Sequence, residues 1–263
     1  MTKRRSLPAR GPFAASDVLI DMRMFHAAII VLAGSRFGGA QPPLKSAEQV
    51  LDRYKQALGG VDAIKKVQCV TMHGEAEVPG LAAPLKFISY SKPFKSLQKV
   101  TMPDGSEQVS GFDGAVSWSI DSHGARIDRD TPVEALRRDA DLQYALHQPD
   151  YFEKFELAGV KDFDGRPCYW LHGTTHWGKD NNQFYDVKTG LLAGYRFQVD
   201  TKSTAEATLL FHDYKSFGGP LVATKMVSSS GNRTQTIVYK SVSYEPLSDS
   251  LFELPAAVKA LLN

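Results

Sequence analysis

Cysteine is scarce: the 263 residues hold only Cys69 and Cys168, far apart in the chain. That excludes a disulfide-stapled scaffold and, with no Cys-x-x-Cys pair, a cysteine-built metal site. After export the two could form one disulfide or remain as two buried thiols, since each sits in a strand-like run. Long apolar runs are also missing. The stretch from Met24 to Gly34 is the strongest and falls short of the roughly 20 apolar residues that a spanning helix needs. Gly-x-Ser-x-Gly, a P-loop, a dinucleotide-binding glycine pattern and His-Glu-x-x-His are absent, so no enzyme class has a motif behind it and no cofactor is expected. Any catalytic set would have to come from distant strands, which leaves a periplasmic hydrolase as a remote alternative.

An excess of either charge is lacking too. Of 31 basic and 29 acidic residues, the first 40 positions take six basic ones (Lys3, Arg4, Arg5, Arg10, Arg23, Arg36) and only Asp17 and Asp21 among the acids. The remainder is therefore slightly acidic and gives no footprint for nucleic acid. Arg23, the apolar run from Met24 and the small residues Gly38-Gly39-Ala40 follow the order of a secretory signal peptide. Residues 1–40 are read as that leader, with Met22 or Met24 as alternative starts. The mature chain is expected to be exported, periplasmic or secreted, with no stable membrane span.

What is present is 43% hydrophobic residues, strand-like alternation and turn chemistry. Ser46 opens a helix to about residue 58, with Gln49 at capping-box spacing and Val50, Leu51, Tyr54, Ala57 and Leu58 forming an apolar stripe. Gly59-Gly60 ends it. From Val67 the period changes. Apolar and polar residues alternate in Val116-Ser-Trp118-Ser-Ile120 and Tyr195-Arg-Phe197-Gln-Val199. Asp-Gly and related turns recur at residues 104–105, 113–114 and 164–165. About a dozen antiparallel strands are predicted, in a mainly β fold with flanking helices, over one domain spanning 41–263. One interruption breaks the run. Thr131-Pro-Val-Glu134 has capping-box form and predicts a helix over 131–146 with Val133, Leu136, Ala140 and Tyr144 inward and Arg137, Arg138, Asp139 and Asp141 toward water. With Tyr151-Phe152 it is expected to cover the open mouth of the sheet as a lid.

Several segments, taken in order, resemble a known family. They are Tyr54-Lys-Gln-Ala-Leu-Gly-Gly60 with Ala63-Ile-Lys-Lys-Val67, Gly111-Phe-Asp-Gly114 with Trp118, Arg137-Arg-Asp-Ala-Asp141, Phe184-Tyr-Asp-Val-Lys-Thr-Gly-Leu-Leu192, Asp213-Tyr214 and Asp249-Ser-Leu-Phe252. Across residues 46–255 the chain resembles a distant member of the LolA-like outer-membrane lipoprotein-sorting proteins of bacterial envelopes. The resemblance implies an unclosed antiparallel β-barrel curved around an apolar cavity, with helices plugging the open side. It also implies a non-enzymatic carrier role in which lipid acyl chains or a lipoprotein are the partner. An envelope protein bound by the same half-barrel, as in a sensor or interaction module, is the second reading.

The aromatic residues suit either a barrel core or a cavity wall. As cavity-wall candidates we take Phe87, Tyr90, Trp118, Leu136, Tyr144, Tyr151, Trp170 and Phe197. His172 and His176 have the spacing of a metal pair on a helix, but their surroundings read as strand, where four residues span roughly 13 Å. No metal ligand is assigned.

Overall fold

The computed structural model describes residues 43–198 and 206–262, together with the backbone of Ile29 and Ile30. The signal peptide expected over 1–40 thus lies almost wholly outside the described residues. Helix α1 (Ala47–Ala57) begins as expected: the Ser46 hydroxyl accepts from Gln49 N–H. The Gln49 side chain reaches back to the N–H of Lys45, one residue before the cap. Gly59 and Gly60 then adopt φ of 104° and 91°, the left-handed region that stops a helix at little cost to glycine. A single turn of helix, α2 (Val61–Lys65), follows.

Thirteen strands of five residues or more come next. They are β1 (Val70–Glu77), β2 (Leu85–Lys92), β3 (Lys95–Thr101), β4 (Glu107–Phe112), β5 (Ser117–Asp121), β6 (Gly124–Asp128), β7 (Phe152–Phe163), β8 (Arg166–Thr175), β9 (Asp180–Asp186), β10 (Leu192–Gln198), β11 (Glu206–Ser216), β12 (Leu221–Ser230) and β13 (Arg233–Ser243). Each neighbouring pair is antiparallel, the first and last strands included; where successive strands are joined by short turns, the turn requires it. At the β7–β8 turn Asp164 and Gly165 both have positive φ, 56° and 72°, the backbone that matches strand twist in a two-residue hairpin.

The hydrogen-bonded order is β6-β5-β4-β3-β2-β1-β13-β12-β11-β10-β9-β8-β7. The first and last strands therefore meet in the middle of one unclosed sheet, and its free edges are β6 and β7. Ile29–Ile30 bridges to Leu221 and Val222 beside this ladder. The segment joining β6 to β7 has to span the open side. It does so with α3 (Val133–Asp139), α4 (Tyr144–His147) and a 3-10 turn (Gln148–Tyr151). The chain ends in a second 3-10 turn (Asp249–Phe252) and α5 (Ala256–Lys259).

Three details of the expected lid are corrected. No capping box forms at Thr131, because Asp128 Oδ1 accepts from the N–H groups of Asp130 and Thr131 and leaves Pro132 as a cap without a side-chain bond. Nor is there one helix over 131–146. Asp141 Oδ1 accepts from Gln143 N–H, an Asx turn that competes with helix and breaks it between α3 and α4. Asp141, expected to face water, is 2% exposed, and Arg138 pairs with Asp139 in a largely buried contact at 2.7 Å.

Strand alternation sorts residues onto two faces. The inner face carries Val70, Met72, Ala76, Leu85, Phe87, Val100, Leu171, Tyr185, Leu209, Phe211, Met226, Ile237 and Tyr239. These form one cluster with Val50, Leu51, Tyr54 and Leu58 of the N-terminal helix. On the outer face, Leu97 and Trp118 pack with Phe252 and Val258 of the C-terminal segment. Phe163, Cys168, Phe184 and Ala193 form another outer cluster. Glycines inside strands serve the aromatics that cross them. A Cβ on Gly111 would lie 2.7 Å from Trp118 Cζ2, so the indole lies flat on the strand beside it. Gly111→Val should therefore cost about 1–3 kcal/mol, read as a lower urea midpoint at unchanged slope.

Candidate functional site

The inner face and the segment that spans its open side are the candidate site. Two wings of sheet meet at the β1–β13 pair, and the connecting helices touch both. On the first wing, Leu136 of α3 and Ala140, its C-cap, pack on Phe112 of β4. The Ala140 carbonyl accepts from Phe94 N–H at 3.0 Å, and Arg137 Nε donates to the Gly114 carbonyl at 3.2 Å. On the second wing, the Arg138 guanidinium lies 5.1 Å from the Trp177 ring centre. Gln148 donates through Nε2 to Gln183 Oε1 and, at 2.8 Å, to the Tyr185 hydroxyl. Tyr185 donates in turn to Gln183 Oε1 at 2.6 Å, and Gln183 Nε2 donates to the Tyr144 hydroxyl at 3.1 Å. Asp141 ties the turn itself, accepting from the Tyr151 hydroxyl at 2.8 Å and meeting His147 Nδ1 at 2.9 Å.

Apart from Asp141 and the Arg138–Asp139 pair, the buried phenols of this site are held neutral. Burial pushes the Tyr144 hydroxyl up to about 12, with the nearby Arg138 guanidinium pulling the other way. Tyr185, Tyr195 and Tyr214 are raised well above the ordinary phenol range, again chiefly by burial. All stay protonated at physiological pH, as neutral donors and acceptors. Polar groups nonetheless reach this face. Ser89 and Gln98 stand opposite one another, as do Ser91 and Ser96, all buried. Three amides keep buried atoms without a hydrogen-bond partner: Gln148 Oε1, Asn181 Oδ1, and both Nε2 and Oε1 of Gln235.

Five of the eight residues singled out from sequence lie on this side of the sheet. Phe87 sits across from Gly74 and Val100, edge-on to Tyr239 with ring centres 5.7 Å apart. Phe197 stands opposite Asn181 and Ala207 and packs on the inner cluster. Leu136 points from α3 onto Phe112, and Tyr144 stacks on Tyr151 at 5.8 Å. The other three are on the outer face. Tyr90 is three residues from Phe87 on the same strand, so the pleat turns it the other way, into register with Leu97, Gly111 and Trp118. There Tyr90 and Trp118 are covered by Phe252 and Val258. Trp170 packs on the second outer cluster, donates to Asn182 Oδ1 at 2.8 Å, and has Lys161 Nζ 3.4 Å above its ring.

Gln148, Gln183 and Gln235 are not among the residues that the sequence singles out, although two of them carry a signal. Gln183 and Gln235 fall in the apolar phase of their strands, in step with Tyr185 and with Ile237. His172 lies 3.1 Å from Asn182 Oδ1 on the outer face. Among the described residues no group of three or more histidine, cysteine or acidic side chains is placed to hold a metal. Cys69 and Cys168 are both free and buried. Burial, with Asp186 nearby, pushes the Cys168 thiol up to about 12. It should not react with a thiol reagent at pH 8 until the protein is unfolded, which a titration with and without denaturant would read.

An unclosed antiparallel sheet with helices across its open side is a LolA-like open barrel, and the chain has that fold. It is similar to a solved DUF1329 family protein from Desulfovibrio piger (18% identity, 80% of this chain and 98% of that one, TM-score 0.56). A LolA superfamily protein from Nitrosomonas europaea is similar at 13% identity, with 80% and 99% covered and a TM-score of 0.56. An outer-membrane lipoprotein-sorting protein domain from Vibrio parahaemolyticus is similar at 12% identity, with 82% and 99% covered and a TM-score of 0.57. No protein-family model and no curated protein matches the sequence.

Proposed function

We propose that this protein is a non-enzymatic binding protein of the bacterial cell envelope that holds lipid acyl chains, free or attached to a lipoprotein, against the inner face of its sheet. The observation that carries the reading is the topology. The chain leaves one side of an apolar-faced sheet open and bridges it with the 133–151 segment, which is pinned to both wings. An acyl chain entering such a site gains roughly 0.8 kcal/mol per buried methylene, without help from a motif or a metal. Residues 1–40 are proposed as the export leader and 41–263 as the exported binding unit. Among the described residues no helix is long and apolar enough to cross a membrane. A role in lipoprotein sorting to the outer membrane is the finer form of this reading, supported by the similarity in fold to the lipoprotein-sorting domain.

Native mass spectrometry of the gently purified protein, followed by solvent extraction, tests the reading. Adducts that resolve into acyl lipids or acylated peptide are expected. Protein that carries no adduct and takes up no acyl chain from mixed micelles would refute it. A protein-binding module is less favoured. Its free edge β7 is long, but bulges at Phe152–Lys154 and Leu157–Gly159 break its ladder, and Glu153, Lys154, Glu156, Lys161 and Asp162 charge it. Both devices protect an edge from pairing with another chain.

A further inference from the structure

Gln235 lies on the inner-face phase of β13, two residues before Ile237. Its side chain is 2% exposed, and neither its amide nitrogen nor its amide oxygen has a hydrogen-bond partner. Nearly every buried polar group in a folded protein is paired, so an amide unpaired at both atoms asks for a reason. Register places Ser228, also buried, directly across on β12, with Leu209 beyond it on β11 and Met226 opposite Ile237. On the other side the ladder to β1 stops one position short, at the Thr236–Glu77 pair, so no strand residue is paired with Gln235 there. The result is one donor-and-acceptor amide and one hydroxyl inside an apolar surround.

We propose that Gln235 and Ser228 anchor the carbonyl end of an acyl ligand: an uncharged ester or amide whose C=O accepts from Gln235 Nε2 and whose adjacent O–H or N–H donates to Gln235 Oε1. The proposal rests on the acyl-binding reading above and names the part of the ligand that fixes its register. Arg233, two residues before Gln235 in the same phase, is exposed, and the buried neighbours Ile237, Met226, Leu209 and Ser228 offer no cation, so the head is uncharged: a desolvated carboxylate or phosphate needs one. The Ser228 hydroxyl can serve either role and widens the range of heads accepted. An acyl glyceride and an N-acyl group share this chemistry.

Displacement of a dansylated acyl probe from the delipidated full chain separates the possibilities. The competitors are monooleoylglycerol, oleamide and the oleyl glyceryl ether, which keeps the hydroxyls and lacks the carbonyl. The wild type should prefer the carbonyl ligands over the ether by about tenfold, and whichever of the two binds more tightly identifies the head. In Gln235→Leu that preference should fall below about twofold while the denaturation midpoint stays level or rises, because an unpaired buried amide has been removed. Gln235→Met serves if the leucine variant fails to fold. A wild type indifferent to the carbonyl, or a preference that survives in the variant, leaves the amide served by solvent alone and overturns the anchor while acyl binding stands. A marked fall of the midpoint in both variants assigns Gln235 to the fold and also overturns it. Failure of the wild type to bind the probe or any competitor overturns the anchor together with the reading beneath it.

Discussion

Replacing Gln183 with leucine should lower the unfolding free energy by about 3 kcal/mol and loosen the helices that span the open side. The volume change is small, so packing is not the cause. Gln183 is fully buried; its Oε1 accepts from Gln148 and Tyr185, and its Nε2 donates to Tyr144. Leucine removes the middle of this network and leaves three buried polar side chains short of a partner. Tyr185 and Gln148 still meet at 2.8 Å, which limits the loss. Adding Gln148→Leu should then cost less than it does alone, because the orphaned partner leaves with it. A coupling near 1 kcal/mol is expected from the double-mutant cycle. Hydrogen exchange supplies the second readout. The amides of residues 144–151 should open in Gln183→Leu well below the global unfolding free energy, and with it in the wild type. A variant within about 0.5 kcal/mol of wild type, with unchanged exchange, would mean that these amides do not hold the segment down.

That network bears on what the connecting segment does. A lid hinged on one wing would be bonded to one wing only. Here α3 is tied to the first wing through Phe94, Phe112 and Gly114, and α4 with its 3-10 turn is tied to the second through Gln183 and Tyr185. The break at Ala140–Gln143, bonded through Asp141, lies between the two attachments. Opening the site therefore has to break one of the two attachments, and the Asp141 turn is the stretch of chain between them.

Much of this architecture is legible in the sequence because local chemistry dictates it. Ser46 and Gln49 start α1, Gly59-Gly60 ends it, and Asp164-Gly165 turns a hairpin whatever the rest of the chain does. Which aromatic faces inward is less local. Phe87 and Tyr90 look alike in composition, and only the pleat separates them. Trp118 in an alternating run has a buried face in either case. That its cover is Phe252 and Val258, more than a hundred residues later, follows from the tertiary fold alone. The split lid fails for a different reason. The Thr131–Glu134 spacing is a genuine start signal, but Asp128 takes the Thr131 N–H and Asp141 takes the Gln143 N–H, and these two short-range bonds override the helical pattern. The buried glutamines escape notice because amides are ordinarily surface residues. Position within the strand period identifies them, and residue type does not.

An acyl ligand should raise the thermal midpoint of the delipidated protein by about 5–10 °C. Free ligand at a hundred times its dissociation constant adds about 2.7 kcal/mol to a state that binds it when folded and not when unfolded. A domain of this size shifts by roughly 2–4 °C per kcal/mol. The dependence on chain length is the sharper measurement. Each added methylene buried on the inner face contributes about 0.8 kcal/mol, so two of them should tighten binding by roughly tenfold. The gain should stop once the chain is longer than the surface that the 133–151 segment covers. A surface detergent effect gives no such break, because longer chains keep partitioning. Gln183→Leu supplies the internal control. Its lower starting stability should leave the slope per methylene intact, since Leu171 and Tyr195, its cross-strand neighbours on the inner face, still line the path. A midpoint that does not move for any chain length, in either protein, would show that the inner face holds no acyl chain. The tie between the two wings would then be a purely structural closure of the sheet.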